Sequence, residues 1–326
     1  MIIDLHSHTV NSDGQYSTSQ LISLAIMQNI SYLAITDHDD MRSYYDLQNL
    51  DLNNYEDINI HLLNNNHPFN YSRCNYFKPH LTIIPGVEFS TVSTCNDQEY
   101  HLIILFSNLN TTGINEIQSL LSDHYKYVLQ QICSKNSTYL QCLDNNSTHF
   151  KLLFDLVSSS NLLQPCQNFY ACLRDNFNIK MPLKFQNLEQ VLILSQKYGF
   201  HTILPHPFRE MKDNFTFSKC LKEFKRLGLN SVELEHFSNS YQQKILIQNL
   251  AQRLDFSLSI GSDFHSQRRK LRTGIDLGYF EANLRVIQNT KDRIINEIFG
   301  KRIIEIRIQM VLVIFNSLIL FFGLKQ

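Results

Sequence analysis

The chain of 326 residues contains no tryptophan, only ten glycines and only seven prolines. So little glycine and proline excludes collagen-like and low-complexity classes. Charge of neither sign is in excess. The 29 Lys and Arg residues face 30 Asp and Glu residues, for a formal net charge of -1. The missing basic excess excludes the electrostatic footprint of a duplex-DNA binder, while a small or short phosphorylated partner stays compatible. No protein partner is indicated. There is no C-x-x-C. The seven cysteines (Cys74, Cys95, Cys133, Cys142, Cys166, Cys172, Cys220) are odd in number and irregular in spacing. That pattern favours reduced thiols in a reducing compartment over a disulfide framework. The start, Met1-Ile2-Ile3-Asp4-Leu5-His6, has neither the basic nor the long apolar region of a secretory signal, so a cytoplasmic location is expected.

Long hydrophobic runs are also scarce, with one exception from Ile308 to Leu324. It falls short of the roughly 20 residues of a membrane span. Lys301, Arg302 and Arg307 precede it and would keep that flank in the cytoplasm. A packed terminal helix is the favoured reading of 308–324, and membrane contact through this tail is the alternative.

The chain does contain enough apolar residues, 43%, for one large α/β domain. Ile2, Ile3 and Leu5 suit a buried strand. An amphipathic helix follows over 17–29, then a second buried strand, Tyr32–Thr36. Such strand–helix–strand units build parallel sheets and barrels. Residues 41–80, rich in Asn, Asp and Tyr, predict a long surface loop. Further strands are expected at 81–84, 102–106, 203–204, 231–234 and 257–260, with helices over much of 114–200 and at 215–227 and 240–253.

Polar residues recur at the ends of these strands. His6 and His8 follow the first, with Asp13 in the next loop. Asp37-His38-Asp39 follows the second. Glu88 comes just after the third, and His101 begins the fourth. His206 follows 203–204, and Asp263 and His265 follow 257–260. In a barrel the strand ends gather on one face, so these distant residues would converge. Imidazoles with carboxylates and no thiolate suit Zn, Mn or Fe ions. Any one pair is ordinary; the ordered conjunction of nine ligand-type side chains is not. Arg209, three residues after His206, is the candidate for phosphate binding. Asp37 and Asp39 are equally turn residues or supports for metal-bound histidines. His236 carries little functional expectation, and His61, His67 and His80 are expected in loops.

Asp4-Leu5-His6-Ser7-His8-Thr9, Ser12-Asp13-Gly14, Ile35-Thr36-Asp37-His38-Asp39, Pro85-Gly86-Val87-Glu88, His206-Pro207 and Gly261-Ser262-Asp263-Phe264-His265 together resemble the PHP (polymerase and histidinol phosphatase) family. The nearest subgroup is the stand-alone phosphoesterases that act on 3′,5′-nucleoside bisphosphates and trim the 5′ ends of short RNA. The resemblance covers residues 1 to about 280. It implies a distorted seven-stranded β/α (TIM-like) barrel with a helical insertion at about 114–182, in a domain spanning 1–281, followed by an extension over 282–326. It also implies three divalent metal ions. His6, His8, Glu88 and Asp263 would hold the first. Glu88 would bridge to a second, completed by His101 and His206. Asp13, His38 and His265 would hold the third. The activity implied is hydrolysis of nucleotide phosphate esters by a metal-activated hydroxide, with no Ser or Cys nucleophile. The alternatives are a histidinol-phosphate phosphatase and a catalytically weak scaffold domain.

Three departures from the family pattern stand out. The stretch between His38 and Glu88 is long. The glycine frequent in the family near Asn29 is missing. Ser147-Thr148 replaces an arginine that commonly precedes the insert's His149-Phe150 pair.

Overall fold

The computed structural model describes residues 2–50, 59–62, 80–107, 110–135, 186–209, 214–266, 276–278 and 284–298. In chain order these form β1 (Ile3–Asp4), α1 (Thr18–Met27), β2 (Tyr32–Ile35), α2 (Arg42–Gln48), β3 (Asn59–Leu62), β4 (His80–Val92), β5 (Glu99–Leu105) and α3 (Thr111–Lys135). Then come β6 (Gln186–Asn187), α4 (Leu188–Tyr198), β7 (His201–Leu204), α5 (Asn214–Arg226), β8 (Ser231–Glu235), α6 (Tyr241–Leu254), β9 (Ser257–Ile260) and α7 (Leu284–Thr290). The last runs on as a π-helical turn, Lys291–Ile295.

Seven strands follow the order β1-β2-β4-β5-β7-β8-β9, with β3 and β6 paired to β4 outside that path. β5 runs antiparallel to both β4 and β7, and the other neighbours are parallel. The sheet nearly closes. Leu5 donates its N–H to Ile260 O at 2.9 Å, and Ser7 bridges Phe264. This is a distorted seven-stranded barrel ringed by helices. The hairpin β4–β5 supplies the distortion, because two strands joined without a crossover must be antiparallel.

Alternation along the strands divides the core. Outward residues such as Leu102, Ile104, Leu204, Val232, Leu234 and Ile260 pack with α4, α5 and α6. Leu33, Ile35, Leu81 and Ile83 pack with α1. Ile3, Leu5, Ala34, Ile84, Ile103, Leu105 and Ile203 meet inside the barrel, joined by Ile294, Ile295 and Ile298 of the last helical segment. Residues 284–298 are therefore part of the barrel's packing.

Local signals start the helices where the sequence places them. Ser17 with Gln20, and Ser240 with Gln243, form reciprocal capping boxes on α1 and α6. Asn29 adopts φ 56°, the left-handed region that favours glycine.

The structure corrects the sequence reading in several places. The expected loop 41–80 contains α2 and β3. β3 pairs with the start of β4, so His61 lies in a strand and His80 opens one. Glu88 is inside the 13-residue β4, and Pro85-Gly86 does not end that strand. His101 is the third residue of β5, not its first. Cys95 and Cys220 form a disulfide across 125 positions, with Cα atoms 5.8 Å apart, where reduced thiols were expected. Spacing along the chain cannot show that the β4–β5 turn meets α5. Cys133 is buried. The other four cysteines, most of the expected insert and the whole 308–324 tail lie outside the described residues. Among the described residues no helix is long and apolar enough to cross a membrane.

Candidate metal centre

The strand period of two carries the interior row of the barrel up to its C-terminal mouth. On β4, Glu88 shares the face of Ile84. On β5, His101 shares the face of Ile103 and Leu105, and Glu88 pairs in register with Ile103. His6 and His8 leave β1, His38 leaves β2, His206 leaves β7, and Asp263 and His265 leave β9. All nine expected side chains converge.

Glu88 is the hub. Its Oε1 lies 2.8 Å from His101 Nδ1 and 3.1 Å from His206 Nε2. Its Oε2 lies 3.1 Å from His6 Nε2, 3.2 Å from His8 Nε2 and 3.2 Å from His38 Nδ1. Asp263 Oδ1 faces His8 Nε2 at 3.2 Å, His265 Nδ1 at 3.4 Å and His6 Nε2 at 3.5 Å. Asp13 Oδ1 lies 3.1 Å from His265 Nε2 and 3.9 Å from both His38 Nε2 and His8 Nδ1. The ligand-type atoms fall into four compact groups: His8, Asp13, His38 and His265; His6, Glu88 and His206; His6, His8 and Asp263; His38, Glu88 and His101. Relative to the family assignment, His8 also joins the Asp13 group, and His38 also joins Glu88 and His101.

The donor set fits divalent cations on two grounds. His8 is fully buried, yet neither ring nitrogen makes a hydrogen bond, although both lie within ion-pair distance of carboxylates. Orphaned buried nitrogens of this kind call for a partner. In addition, carboxylate oxygens and imidazole nitrogens crowd together at ligand spacing, as a bound cation would require.

With protons as the only cations, the centre distorts its own titration. Burial works against the charged form of His6, but Glu88, Glu233 and Asp263 outweigh it and hold His6 well above the imidazole range. His8 is pushed up to about 9, with burial overcome by Asp263 and Glu88. Burial pushes His38 and His206 down to about 3. Burial opposes ionisation of Glu88 and Asp263 as well, yet the surrounding imidazoles hold both carboxyls well below their usual range.

A second layer, which the sequence reading missed, comes from the end of β8. Val232 and Leu234 face the outer helices, so Ser231 and Glu233 face inward, while Glu235, beyond a register shift in the strand, pairs with Lys244 of α6 at 2.6 Å. Glu233 is buried; its Oε1 lies 3.1 Å from His6 Nδ1, and its Oε2 accepts the backbone N–H of His206 at 2.7 Å. That second bond supports a backbone in the left-handed region, since His206 has φ 27°. His236 Nδ1 accepts the N–H of Ser238 at 3.1 Å, so its Nε2 carries the proton and donates to Asp263 Oδ2 at 3.3 Å. This leaves Asp263 Oδ1 for the cluster.

Other polar groups shape the loops. Asp37 accepts from Thr9 N–H, Thr9 Oγ1 and Ser12 Oγ, each at 2.7 Å, and so fixes the loop that carries Asp13. Asp39 Oδ1 accepts Ser90 N–H at 2.9 Å. Asp4 ties β1 to the loop after β9 through Ser262 N–H at 3.0 Å and Ser262 Oγ at 2.6 Å. Gly261 is required by close approach, because a Cβ there would meet Glu233 Oε1 and His6 Cβ at 2.3 Å. Arg209 is exposed on the loop after β7, and its charge is felt at His101. The insert's His149-Phe150 pair and Arg268 and Arg269 lie outside the described residues.

A buried His and carboxylate cluster at the mouth of such a barrel defines a metal-dependent hydrolase, and the comparisons with known proteins make it a phosphoesterase. The PHP domain model matches residues 4–183, and the chain belongs to the PHP family. The 5′-3′ exoribonuclease Rnm of Escherichia coli (strain K12) is 23% identical over 278 residues, 81% of this chain and 85% of that protein. Rnm of Salmonella typhimurium (strain LT2) is 22% identical over the same shares. Among solved structures, an amidohydrolase from Chromobacterium violaceum with bound sulfate matches with TM-score 0.58 and 18% identity, over 88% of this chain and 93% of that one. A protein from Bifidobacterium adolescentis assigned as a metal-dependent phosphoesterase matches with TM-score 0.56 and 16% identity, over 89% and 96%.

Proposed function

We propose that this protein hydrolyses phosphate esters of nucleotides, taking 3′,5′-nucleoside bisphosphates and the 5′ ends of short RNA in the cytoplasm. The observation that carries the reading is Glu88, whose two oxygens face two different sets of imidazoles, the arrangement of a bridging carboxylate. His6, His8, Asp13, His38, His101, His206, Asp263 and His265 would complete the ligands for three divalent ions, and Mn, Zn and Fe all suit this donor set. When bound, such ions supply Lewis acidity and a hydroxide nucleophile near neutral pH. Glu233 and His236 hold His6 and Asp263 in their orientations. Arg209, exposed on the loop after β7 and electrostatically felt at His101, has a guanidinium fork that suits the phosphate that is not being cleaved. The likeness to two exoribonucleases supports a nucleotide over histidinol phosphate.

The test is phosphate release from adenosine 3′,5′-bisphosphate and nucleotide release from a 5′-phosphorylated RNA oligonucleotide, each with Mn²⁺ and with chelator. Metal-dependent turnover is expected for both, and Glu88→Ala should abolish it together with metal loading. Turnover of histidinol phosphate alone would overturn the nucleotide reading. Full activity of Glu88→Ala would overturn the bridging role.

A further inference from the structure

Phe237 leaves β8 one residue after His236, and the two ring centroids lie 4.3 Å apart with planes 36° from parallel. The His236 ring is in turn 5.3 Å from that of His206 and donates to Asp263. Phe237 is thus the next ring outward from the metal centre. His236 is 4% exposed, whereas Phe237 is 41% exposed. A single exposed phenylalanine is ordinary on a protein surface. This one stands on the rim of a site for a charged substrate. The neighbouring loop, after the paired strand β7, carries Arg209.

We propose that Phe237 is the platform on which the substrate's nucleobase stacks while a phosphate occupies the metal centre. The proposal rests on the nucleotide reading above and adds a specificity element to it. A phenyl ring has a π-face but no hydrogen-bonding group. It therefore attracts any of the four bases about equally and offers a sugar phosphate nothing. The class selected is nucleoside phosphates of any base, against sugar phosphates of equal charge.

The chain's lack of tryptophan makes the test direct. In Phe237→Trp the introduced indole is the only one, and it reports on its own surroundings. Adenosine 3′,5′-bisphosphate should quench its fluorescence, and ribose 1,5-bisphosphate, with the same two phosphates and no base, should not. Met27→Trp, at an 82% exposed position on α1, serves as the control and should respond to neither. In parallel, Phe237→Ala should raise KM for adenosine 3′,5′-bisphosphate about tenfold, with kcat and circular dichroism unchanged and Phe237→Tyr restoring the wild-type value. Absence of quenching, equal quenching by both ligands, or an unchanged KM in Phe237→Ala would overturn the proposal. Base-dependent quenching without turnover of any nucleotide would keep the stacking site and overturn the proposed hydrolysis instead.

Discussion

His6 Nδ1 lies 3.1 Å from Glu233 Oε1, a contact that spans 227 positions of the chain and joins the first strand to the eighth. The opposite nitrogen of the same ring faces Glu88. If a divalent ion takes the place of the proton on Nε2, Nδ1–H stays on Glu233. This is how metal-bound imidazoles are normally oriented from behind. Glu233→Gln should therefore lower metal affinity about 10- to 100-fold while the barrel stays folded. Metal retained after dialysis, measured by elemental analysis, is the readout. Unchanged retention would show that Glu233 acts only on the His206 loop.

The metal-stripped protein should be most stable near neutral pH. Desolvation pushes the partly exposed His38 and the buried His206 down to about 3 in the fold against about 6.5 unfolded. The unfolded chain then binds more protons between those values, so their stabilisation is complete above pH 6.5 and lost as pH falls toward 3. His8, raised to about 9, works in the opposite direction. Its stabilisation is complete below about pH 6.5 and lost as pH rises through 9. Thermal midpoints of chelated protein from pH 4 to 10 should form a dome, and His206→Asn should flatten its acid side. A level profile would contradict the assignment.

Ile295 is 1% exposed and packs inside the barrel with Ile3, Leu5 and Ile103. Ile295→Ala should cost about 2–5 kcal/mol through lost burial and the cavity left behind. Urea unfolding would measure it. A loss below about 1 kcal/mol would mean that the 284–298 segment is not part of the cooperative fold.

The Cys95–Cys220 bond closes a loop of 125 residues, and cross-links of that span constrain the unfolded chain by about 4–5 kcal/mol. Reductant should lower the unfolding midpoint of the wild-type protein but leave that of Cys95→Ser unaffected. Equal sensitivity of the two would argue that the pair is not bonded in solution.

Much of the site is legible in the order of the residues alone. Most of the expected ligands sit at or near a strand end, Glu88 inside β4 being the exception, and the order of short motifs points to a barrel mouth whatever the intervening loops do. The capping boxes at Ser17 and Ser240 are local, four residues long, and so lie within reach of the sequence. Glu233 and His236 are not legible as functional groups. A charged residue alternating with Val232 and Leu234 looks like the solvent face of a half-buried strand, and only closure of the barrel turns that face inward.

The sequence by itself determined the kinds of side chain available, six imidazoles and three carboxylates, and their order along the chain, because covalent order and side-chain chemistry do not depend on packing. Tertiary structure decided which donors share a group, that Glu88 turns one oxygen to His101 and His206 and the other to His6, His8 and His38, and that β5 runs antiparallel. It also decided that Cys95 meets Cys220 and that Ile295 fills the barrel. The physical reason is common to all of these. Each is a contact between residues far apart in the chain, fixed by strand register and barrel closure, and no local pattern of residues carries that information.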